Sequence, residues 1–472
     1  MEVFSAAQSG LIQLSEQGLQ SFQKLLMDFE GSWNFTDLAT AMEFVRDDKN
    51  LVVFQGQREV RIFPSSGFIM EVNPENAVKS GVIKKEQMDE CAKNLKFAFD
   101  SRGLTREQVM MLDIMANNNW ERGIGFTSPG GSEVSIALYR RGYIKQTGMI
   151  FELSPLSNLS ERYNNEVMYK NLMENYSFGQ MNNPKVLTDY YARRHTSQYR
   201  LHFLSLAEDF IGKAMEGEEA NQRLEIMKGM GNPNLELPSA MDSKKIEKYK
   251  ERAKKLIHRS LEVMPAELVI DYGEPSPSNN PRDSYEINGK TLSGFNDGIL
   301  HDYVGILYIS GDKEGAEKLG TTVADQLESI INYFEKGNVA ITARQSNTKD
   351  LYAAMSAYFK MSSAANDEDF GNKDGALAKR TQEKIAYMYT TMFPSMFDRL
   401  TELANANGES TRRGSNAGYY ASMLFDLQDY TEAMAVHYGW LDGDATPADA
   451  PNQGPSMEQL LQMNDLKDSI GK

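Results

Sequence analysis

The spacing of apolar residues divides the chain into two parts. In residues 1–155, apolar positions recur every three or four residues in some stretches and every second residue in others. These are the periods of helices and strands. After about residue 160 almost every apolar stretch keeps the helical period. The pattern predicts an α+β protein, with a small mixed α/β N-terminal domain followed by a mainly α-helical domain.

Individual elements follow from the same spacing. In the first part, helices are predicted over 4–27, 38–45, 84–99 and 105–117. Asp37 or Thr36 is a suitable cap for the second of these helices, and Thr105 precedes the last. Alternating or turn-bounded apolar runs predict strands over 51–64, 67–72, 122–127 and 143–153. The segment 51–64 contains a Gln-Gly turn and is predicted to form a hairpin.

The helical part contains a weak internal repeat. "LYISGDKEGAEKL" (307–319) and "LFDLQDYTEAMAV" (424–436) align without gaps, so that Ala316 matches Ala433. A small residue at this place lets two helices of a tetratricopeptide hairpin touch. "AKKLIHRSLEVMP" (253–265) resembles the second helix of such a repeat, ended by proline. We therefore expect tetratricopeptide-like helical hairpins, irregularly spaced and not a uniform solenoid.

Three domains are predicted from these patterns. They are a mixed α/β domain over 1–155, a helical repeat-like domain over 156–440 and a mobile polar tail over 441–472. The tail is polar and rich in proline, which is typical of segments without a packed core. Within the helical domain, the stretch 273–294 is rich in turn residues and is predicted to be a loop.

Composition and charge exclude several classes of protein. The net charge is −16, whereas phosphate binding needs clustered Lys and Arg, so no nucleic acid is expected as a partner. Cys91 is the single cysteine, which excludes an internal disulfide and a cysteine zinc site. No stretch approaches the roughly 18 to 20 apolar residues of a membrane span. The N-terminus also lacks the basic start and apolar run of a signal peptide.

A search for catalytic motifs finds none. The five histidines form no His-x3-His or His-Glu-x-x-His pair, so a helical zinc site has no support. A Walker loop and a Gly-x-Ser-x-Gly elbow are also absent from the sequence. We therefore expect no catalytic residue, no metal and no cofactor in this chain, and the residues alone leave open whether it is an enzyme.

The stretch "MLDIMANNNWERGIGFTSPGG" (111–131) has an unusual composition at a junction between two core-forming elements. Asn117–Asn119 can end a helix, because asparagine tolerates left-handed geometry. Trp120 can fill the seam between helix and sheet, and Arg122 can pair with Asp113 or Glu121 or reach a ligand. Two interpretations remain: a structural junction, or a partner- or substrate-binding site formed by Asn118, Trp120, Glu121 and Arg122.

The run "MMLDIMANNNWERGIGFTS" resembles a segment of a bacterial family of multi-pass membrane proteins, common in Bacteroidota. That family is similar to animal endoplasmic-reticulum protein O-mannosyltransferases with transmembrane and tetratricopeptide parts. Matching positions include Asp113, Asn118, Trp120 and Arg122. Gly123 and Gly125 depart from the family, which usually has proline and tyrosine there. Flanking segments such as "REVRIFPSSGFIMEVNPENAVKS" and "NLMENYSFGQMNNP" extend the resemblance over roughly residues 35–320.

The resemblance implies a GT-C type glycosyltransferase in which this chain is the extracytoplasmic C-terminal region. The implied activity is transfer of a sugar to exported proteins, with the catalytic residues in the missing N-terminal membrane domain. Expected partners are that membrane domain or exported acceptor proteins, at the periplasmic face of the inner membrane. The chain itself is then non-catalytic. The alternative is a freestanding helical-repeat scaffold for protein–protein interaction.

Overall fold

The computed structural model of the protein describes residues 12–14, 35–54, 58–98, 103–156, 162–186, 189–229, 240–269, 285–287, 290–292, 298–336, 348–406 and 416–440. The chain divides into two compact units, Met1–Asn175 and Tyr176–Lys472. Small mixed sheets lie in the first unit and mostly helices in the second, which confirms the α+β prediction. The predicted boundary at 155 stays a prediction, and the tail 441–472 lies outside the described residues.

The first unit contains three small sheets among its described residues. Their strands are β1 (Ile12–Leu14), β2 (Phe35–Asp37), β3 (Val52–Phe54), β4 (Arg58–Val60), β5 (Gly67–Glu71), β6 (Asn94–Ala98), β7 (Gly125–Phe126), β8 (Ile144–Gln146) and β9 (Phe151–Leu153). The strand orders are β1-β3-β4, β2-β5-β6 and β7-β9-β8. Strands β2 and β5 run parallel, and the other pairs are antiparallel. The hairpin predicted for residues 51–64 is confirmed by the pairing of β3 with β4.

Short helices connect these strands. They are α1 (Leu38–Arg46), α2 (Pro74–Lys79), α3 (Arg106–Asn118), α4 (Glu133–Arg140) and α5 (Asn165–Lys170), with a π-helical turn over Asn171–Asn175 and 3-10 turns over Asp48–Asn50 and Lys85–Glu90. The Asp37 carboxylate caps α1 by accepting from the Thr40 backbone N–H at 2.8 Å. Thr105 and Gln108 form a reciprocal capping box at the start of α3. Both predicted caps are therefore confirmed.

The core of the first unit forms where helices cover the sheets. Its buried cluster includes Leu38 from α1, Leu112 from α3 and Leu138 from α4. Phe68 on β5 and Phe97 on β6 are fully buried and lie directly opposite each other, with ring centroids 5.8 Å apart. Strands of only two to five residues are stable here because helices cover their apolar faces.

Two helix predictions in the first unit are wrong. The described part of the predicted helix 84–99 contains a 3-10 turn, Lys85–Glu90, followed by strand β6, in which Leu95 and Phe97 point into the core while Asn94 and Lys96 are exposed. This alternation has the period of a strand. Of the predicted helix 4–27, only Ile12–Leu14 is described, and it is a strand paired with β3. Leu11 and Leu14, three residues apart, fit the helical period, but backbone pairing with Val52–Phe54 makes Ile12–Leu14 a strand.

The second unit is built from long helices. They are α6 (Tyr190–Gly229), α7 (Ser243–Val263), α8 (Leu300–Ile309), α9 (Lys313–Lys336), α10 (Thr348–Asn366), α11 (Ala376–Tyr387), α12 (Phe393–Ala406) and α13 (Asn416–His437), with a π-helical segment over Met388–Met392. Helix α7 ends before Pro265, as predicted. The segment 273–294, predicted to be a loop, contains an antiparallel hairpin of β10 (Tyr285–Ile287) and β11 (Lys290–Leu292).

The two copies of the internal repeat have different structures. Residues 307–319 form a helical hairpin, in which α8 and α9 meet at Gly311 with a φ of 83° and Ala316 is fully buried. Residues 424–436 lie inside the single helix α13, so the second predicted hairpin is wrong. The aligned position of Gly311 is Gln428, which has no comparable freedom to adopt positive φ. The helix therefore continues through the second copy.

Candidate functional site

The end of helix α3 reverses the chain in two successive residues with positive φ. Asn119 follows the helix in left-handed geometry, with φ 43° and ψ 31°. Trp120 continues with a φ of 60°. Asparagine adopts this conformation more readily than other side chains, whereas a bulky residue such as tryptophan adopts it at a cost. Surrounding contacts must therefore hold Trp120 in place.

Trp120 has these contacts on both its apolar and its polar side. The side chain is 1% exposed and belongs to the same buried cluster as Met70, Leu112 and Leu153. Its indole N–H donates to the Glu71 carbonyl oxygen, at the end of β5, over 2.9 Å. The residue thus joins the end of α3 to the end of β5, the arrangement expected of a tryptophan plug.

The asparagines around Trp120 bond to backbone groups. The Asn118 amide donates to the Arg122 carbonyl oxygen at 2.7 Å, and the Asn76 amide donates to the Asn119 carbonyl oxygen at 3.0 Å. Asn73 caps helix α2 by accepting from the Asn76 N–H at 3.1 Å. The bond from Asn76 satisfies the Asn119 carbonyl, one of the groups that the end of a helix leaves without a partner. The Asn118 side chain is therefore engaged in holding the turn.

Glu121 and Arg122 are exposed and lie just outside this turn. Neither makes an ion pair or a side-chain hydrogen bond within the described part of the chain. The expected pairing of Arg122 with Asp113 or Glu121 is wrong, because Asp113 pairs with Arg46 on α1 and accepts from the Asn117 amide at 3.2 Å. Of the four predicted site residues, Trp120 and Asn118 hold the junction, while Glu121 and Arg122 remain accessible to a partner.

The sequence reasoning missed a carboxylate beside this junction. In the sheet β7-β9-β8, Gly125, Glu152 and Lys145 are direct cross-strand neighbours and share one face. A Cβ atom on Gly123 would lie 3.0 Å from Glu152 Oε1, so this carboxyl leans over the glycine backbone. Glu152 is half-buried, and this burial raises the pKa of its carboxyl group. No sequence signal marked Glu152, since its surroundings are set by pairing between strands.

Lys145 and Glu152, which share one face of this sheet, differ in their interactions. Lys145 is 8% exposed and has its own interactions. The Glu152 side chain makes neither a hydrogen bond nor an ion pair with any described residue. A half-buried carboxylate without a partner loses hydration and gains nothing in return. Glu152 is therefore a group that a cationic or hydrogen-bond-donating ligand would stabilise.

The described residues contain neither a metal-binding cluster nor a membrane-spanning helix. In that part of the chain, no group of three or more His, Cys, Asp or Glu side chains is placed to hold a metal ion. The same residues include no helix with the length and apolar character needed to cross a bilayer. The expectation of no cofactor stays a prediction.

Comparison with known proteins gives one match. Residues 9–171 match a family model described as TMEM260-associated domain 2. No curated protein matches the chain, and no solved structure matches it. The matched segment includes Asn118, Trp120, Glu121, Arg122 and Glu152, and it covers the N-terminal part of the resemblance expected over 35–320. The N-terminal third of this chain is therefore similar to a TMEM260-associated domain.

Proposed function

We propose that this chain is the extracytoplasmic C-terminal region of a protein O-mannosyltransferase-like glycosyltransferase. One observation carries the proposal: residues 9–171 match a TMEM260-associated domain, which hints at a glycosyltransferase-like parent family. The sequence resemblance at Asn118, Trp120 and Arg122 lies inside the matched segment. In this proposal the chain works at the periplasmic face of the inner membrane, next to a membrane domain that carries the catalytic groups.

The role proposed for the chain is recognition of exported acceptor proteins or support of the membrane domain. The junction around Trp120 supports this role, because its hydrogen bonds fix the backbone that carries the exposed Glu121 and Arg122. Side chains on a rigid turn are suited to recognition, since little conformational entropy is lost when they bind. The chain itself is proposed to be non-catalytic.

The proposal is tested by the genomic sequence upstream of Met1. We expect the reading frame to continue upstream and to encode several apolar spans of about 20 residues each. A stop codon and a ribosome-binding site directly before Met1, in an intact genome, would contradict the proposal. The same genomic sequence shows whether the membrane domain is encoded in this polypeptide.

A second candidate function is a freestanding helical-repeat scaffold. The hairpin of α8 and α9 favours it, because Ala316 is fully buried and matches the small residue at the helix contact of a tetratricopeptide repeat. Such scaffolds bind partner proteins through extended helical surfaces. A stoichiometric soluble partner, retained without any membrane fraction, would favour this alternative over the first proposal.

A further inference from the structure

Strand β7 is an edge strand, and its outer side is open. In the order β7-β9-β8, only one side of β7 pairs with another strand among the described residues. The Leu153 N–H donates to the Ile124 carbonyl oxygen at 2.8 Å, so the peptide groups of Ile124 point toward β9. By the alternation of an antiparallel pair, the N–H and C=O groups of Gly123 and Gly125, on either side of Ile124, point away from β9.

These outward residues are exposed and carry little to protect the edge. Gly123 and Gly125 are both exposed. Proteins commonly guard edge strands with proline or charged side chains, because free peptide groups pair with other strands. The edge therefore offers hydrogen-bonding groups to an extended peptide.

Because Gly123 and Gly125 have no side chains, one face of the sheet next to the edge is uncovered. A Cβ atom on Gly125 would lie 2.8 Å from Ile150 Cγ2, and one on Gly123 would lie 3.0 Å from Glu152 Oε1. Ile150 and Glu152 thus lean over β7 from the neighbouring strand. Ile150 is 50% exposed, so an added strand would meet both an apolar surface and a carboxylate without a partner.

The spacing of strands selects the chemistry of the added residue. A residue paired with Gly125 has its Cα about 4.8 Å beyond β7, and roughly twice that distance from Glu152. The head group of a Lys or Arg on that residue can reach the Glu152 carboxylate and complements its charge, whereas a Ser or Thr hydroxyl brings no charge. The methylene stem would then lie on Ile150. The net charge of −16 also favours a basic partner.

We propose that the β7 edge, Gly123–Thr127, binds an extended segment of a partner protein by strand addition, with a Lys or Arg side chain paired to Glu152. This inference deepens the proposed role in recognising exported proteins. It rests on the proposed function only for the statement that the bound segment comes from an exported protein. If the upstream sequence encodes no membrane spans while peptide binding is found, the proposed function fails and this inference stands.

The test uses the full chain and a fluorescein-labelled peptide, Ser-Thr-Val-Thr-Lys-Thr-Val-Thr-Ser, followed by fluorescence anisotropy. Control peptides replace Lys by Glu or by norleucine. We expect the Lys peptide to bind about tenfold more tightly than the norleucine peptide, and the Glu peptide to bind most weakly. Equal binding of the three peptides, or no binding of the Lys peptide, would overturn the proposal.

Variants test the charge pair with Glu152 separately from the backbone hydrogen bonds. Glu152→Gln should reduce binding of the Lys peptide to the level of the norleucine peptide. Glu59, exposed on strand β4 of a different sheet, supplies the matched control, since Glu59→Gln removes the same charge away from the proposed contact. An equal loss from both variants would show that only overall charge matters and would overturn the pairing.

The backbone part of the contact has its own test. Gly123→Pro should weaken all three peptides, because it removes an outward N–H. A Lys peptide with N-methylated amides on the paired side should bind as weakly to the native chain, which keeps the test independent of the folding of the variant. Full binding of the N-methylated peptide would rule out strand addition.

Discussion

The two units hold their polar groups in different ways. Around Trp120 in the first unit, single side chains bond to single carbonyls, as between the indole and Glu71. In the second unit, polar side chains along α9 form a series of contacts with α11. Arg380 donates to Glu328 at 2.9 Å and to Asp325 at 2.7 Å, and the Tyr358 hydroxyl donates to Glu328 at 2.8 Å. The junction therefore depends on a few bonds around one turn, whereas the contacts of α9 are spread along a whole helix.

The second unit repeats such contacts along one helix, whereas the first unit concentrates them at the junction around Trp120. Glu317 on α9 accepts from the Tyr308 hydroxyl and from the Leu377 N–H, each at 2.9 Å, one turn before Gly320. A Cβ atom on Gly320 would collide with Leu377 Cδ2, so the two helices cross closely there. Losing one such contact leaves others along α9. Losing Trp120 removes both the core packing and the hydrogen bond of the junction.

The largest effect is expected from Trp120→Ala. Removing a fully buried tryptophan should lower the free energy of unfolding by about 3–5 kcal/mol. Trp120→Phe should cost less, because it keeps much of the ring but leaves the Glu71 carbonyl without its donor. Urea unfolding measures both variants. As a control, Glu121→Ala should change stability by no more than about 0.5 kcal/mol. Equal losses from Trp120→Ala and Glu121→Ala would disprove the plug.

A smaller loss is expected where α9 meets α11. Arg380→Met keeps much of the stem but removes the charged bonds to Asp325 and Glu328. We expect a loss of about 1.5–3 kcal/mol in the free energy of unfolding, typical of hydrogen bonds to charged groups. Lys379→Met, at an exposed neighbouring position, is the matched control. A loss larger than that of Trp120→Ala would reverse the comparison between the two units.

Acid should weaken the second unit through His202. Burial lowers the pKa of this imidazole from 6.5 to about 4. The unfolded chain therefore binds more protons than the folded chain between these values, and stability is lost as pH falls from about 6.5 through about 4. His202→Phe should reduce the change of the thermal unfolding temperature with pH between 6.5 and about 4. His195→Gln, at an exposed position, should leave it unchanged. An identical pH profile in native and His202→Phe chains would contradict the assignment.

The smallest effect, of opposite sign, is expected at Glu152. Burial raises the pKa of its carboxyl above the ordinary value of 4.5. The folded chain then holds the proton more tightly than the unfolded chain, so this group lowers stability as pH rises through and above 4.5. Glu152→Gln should remove this loss and be at least as stable as the native chain at neutral pH. A less stable Glu152→Gln chain at pH 7 would show that the carboxylate is satisfied by contacts inside the fold.

Sequence reasoning succeeded where one segment carries its own signals. Helix α3 has a cap at Thr105, a helical apolar face and a left-handed stop at Asn119, and all three were predictable. It failed where the outcome depends on a distant partner. Leu95 and Phe97 are apolar in either interpretation, and only the pairing with β5 makes this segment a strand. Helix α4 was missed too, because its cap, Ser132, follows a Ser-Pro-Gly-Gly loop.

The same limit applies to the candidate site. The role of Trp120 was predictable because the stretch around it, 111–131, has an unusual composition for a helix end. Glu152 was not, since its position over Gly123 follows from the order of three strands. The predicted pairing of Arg122 with Asp113 failed because Arg46, distant in sequence, lies on the neighbouring helix α1.

In the proposed function, this chain serves a membrane glycosyltransferase by presenting a fixed junction and an open strand edge to exported proteins. This proposal leads to one decisive measurement. It is tested most directly by mass spectrometry of exported proteins from cells that carry the native gene, Glu152→Gln or Glu59→Gln, with equal levels of the protein. We predict lower hexose occupancy with Glu152→Gln and native occupancy with Glu59→Gln, which lies on a different sheet. Unchanged glycosylation in cells that lack residues 1–472 altogether would contradict the account.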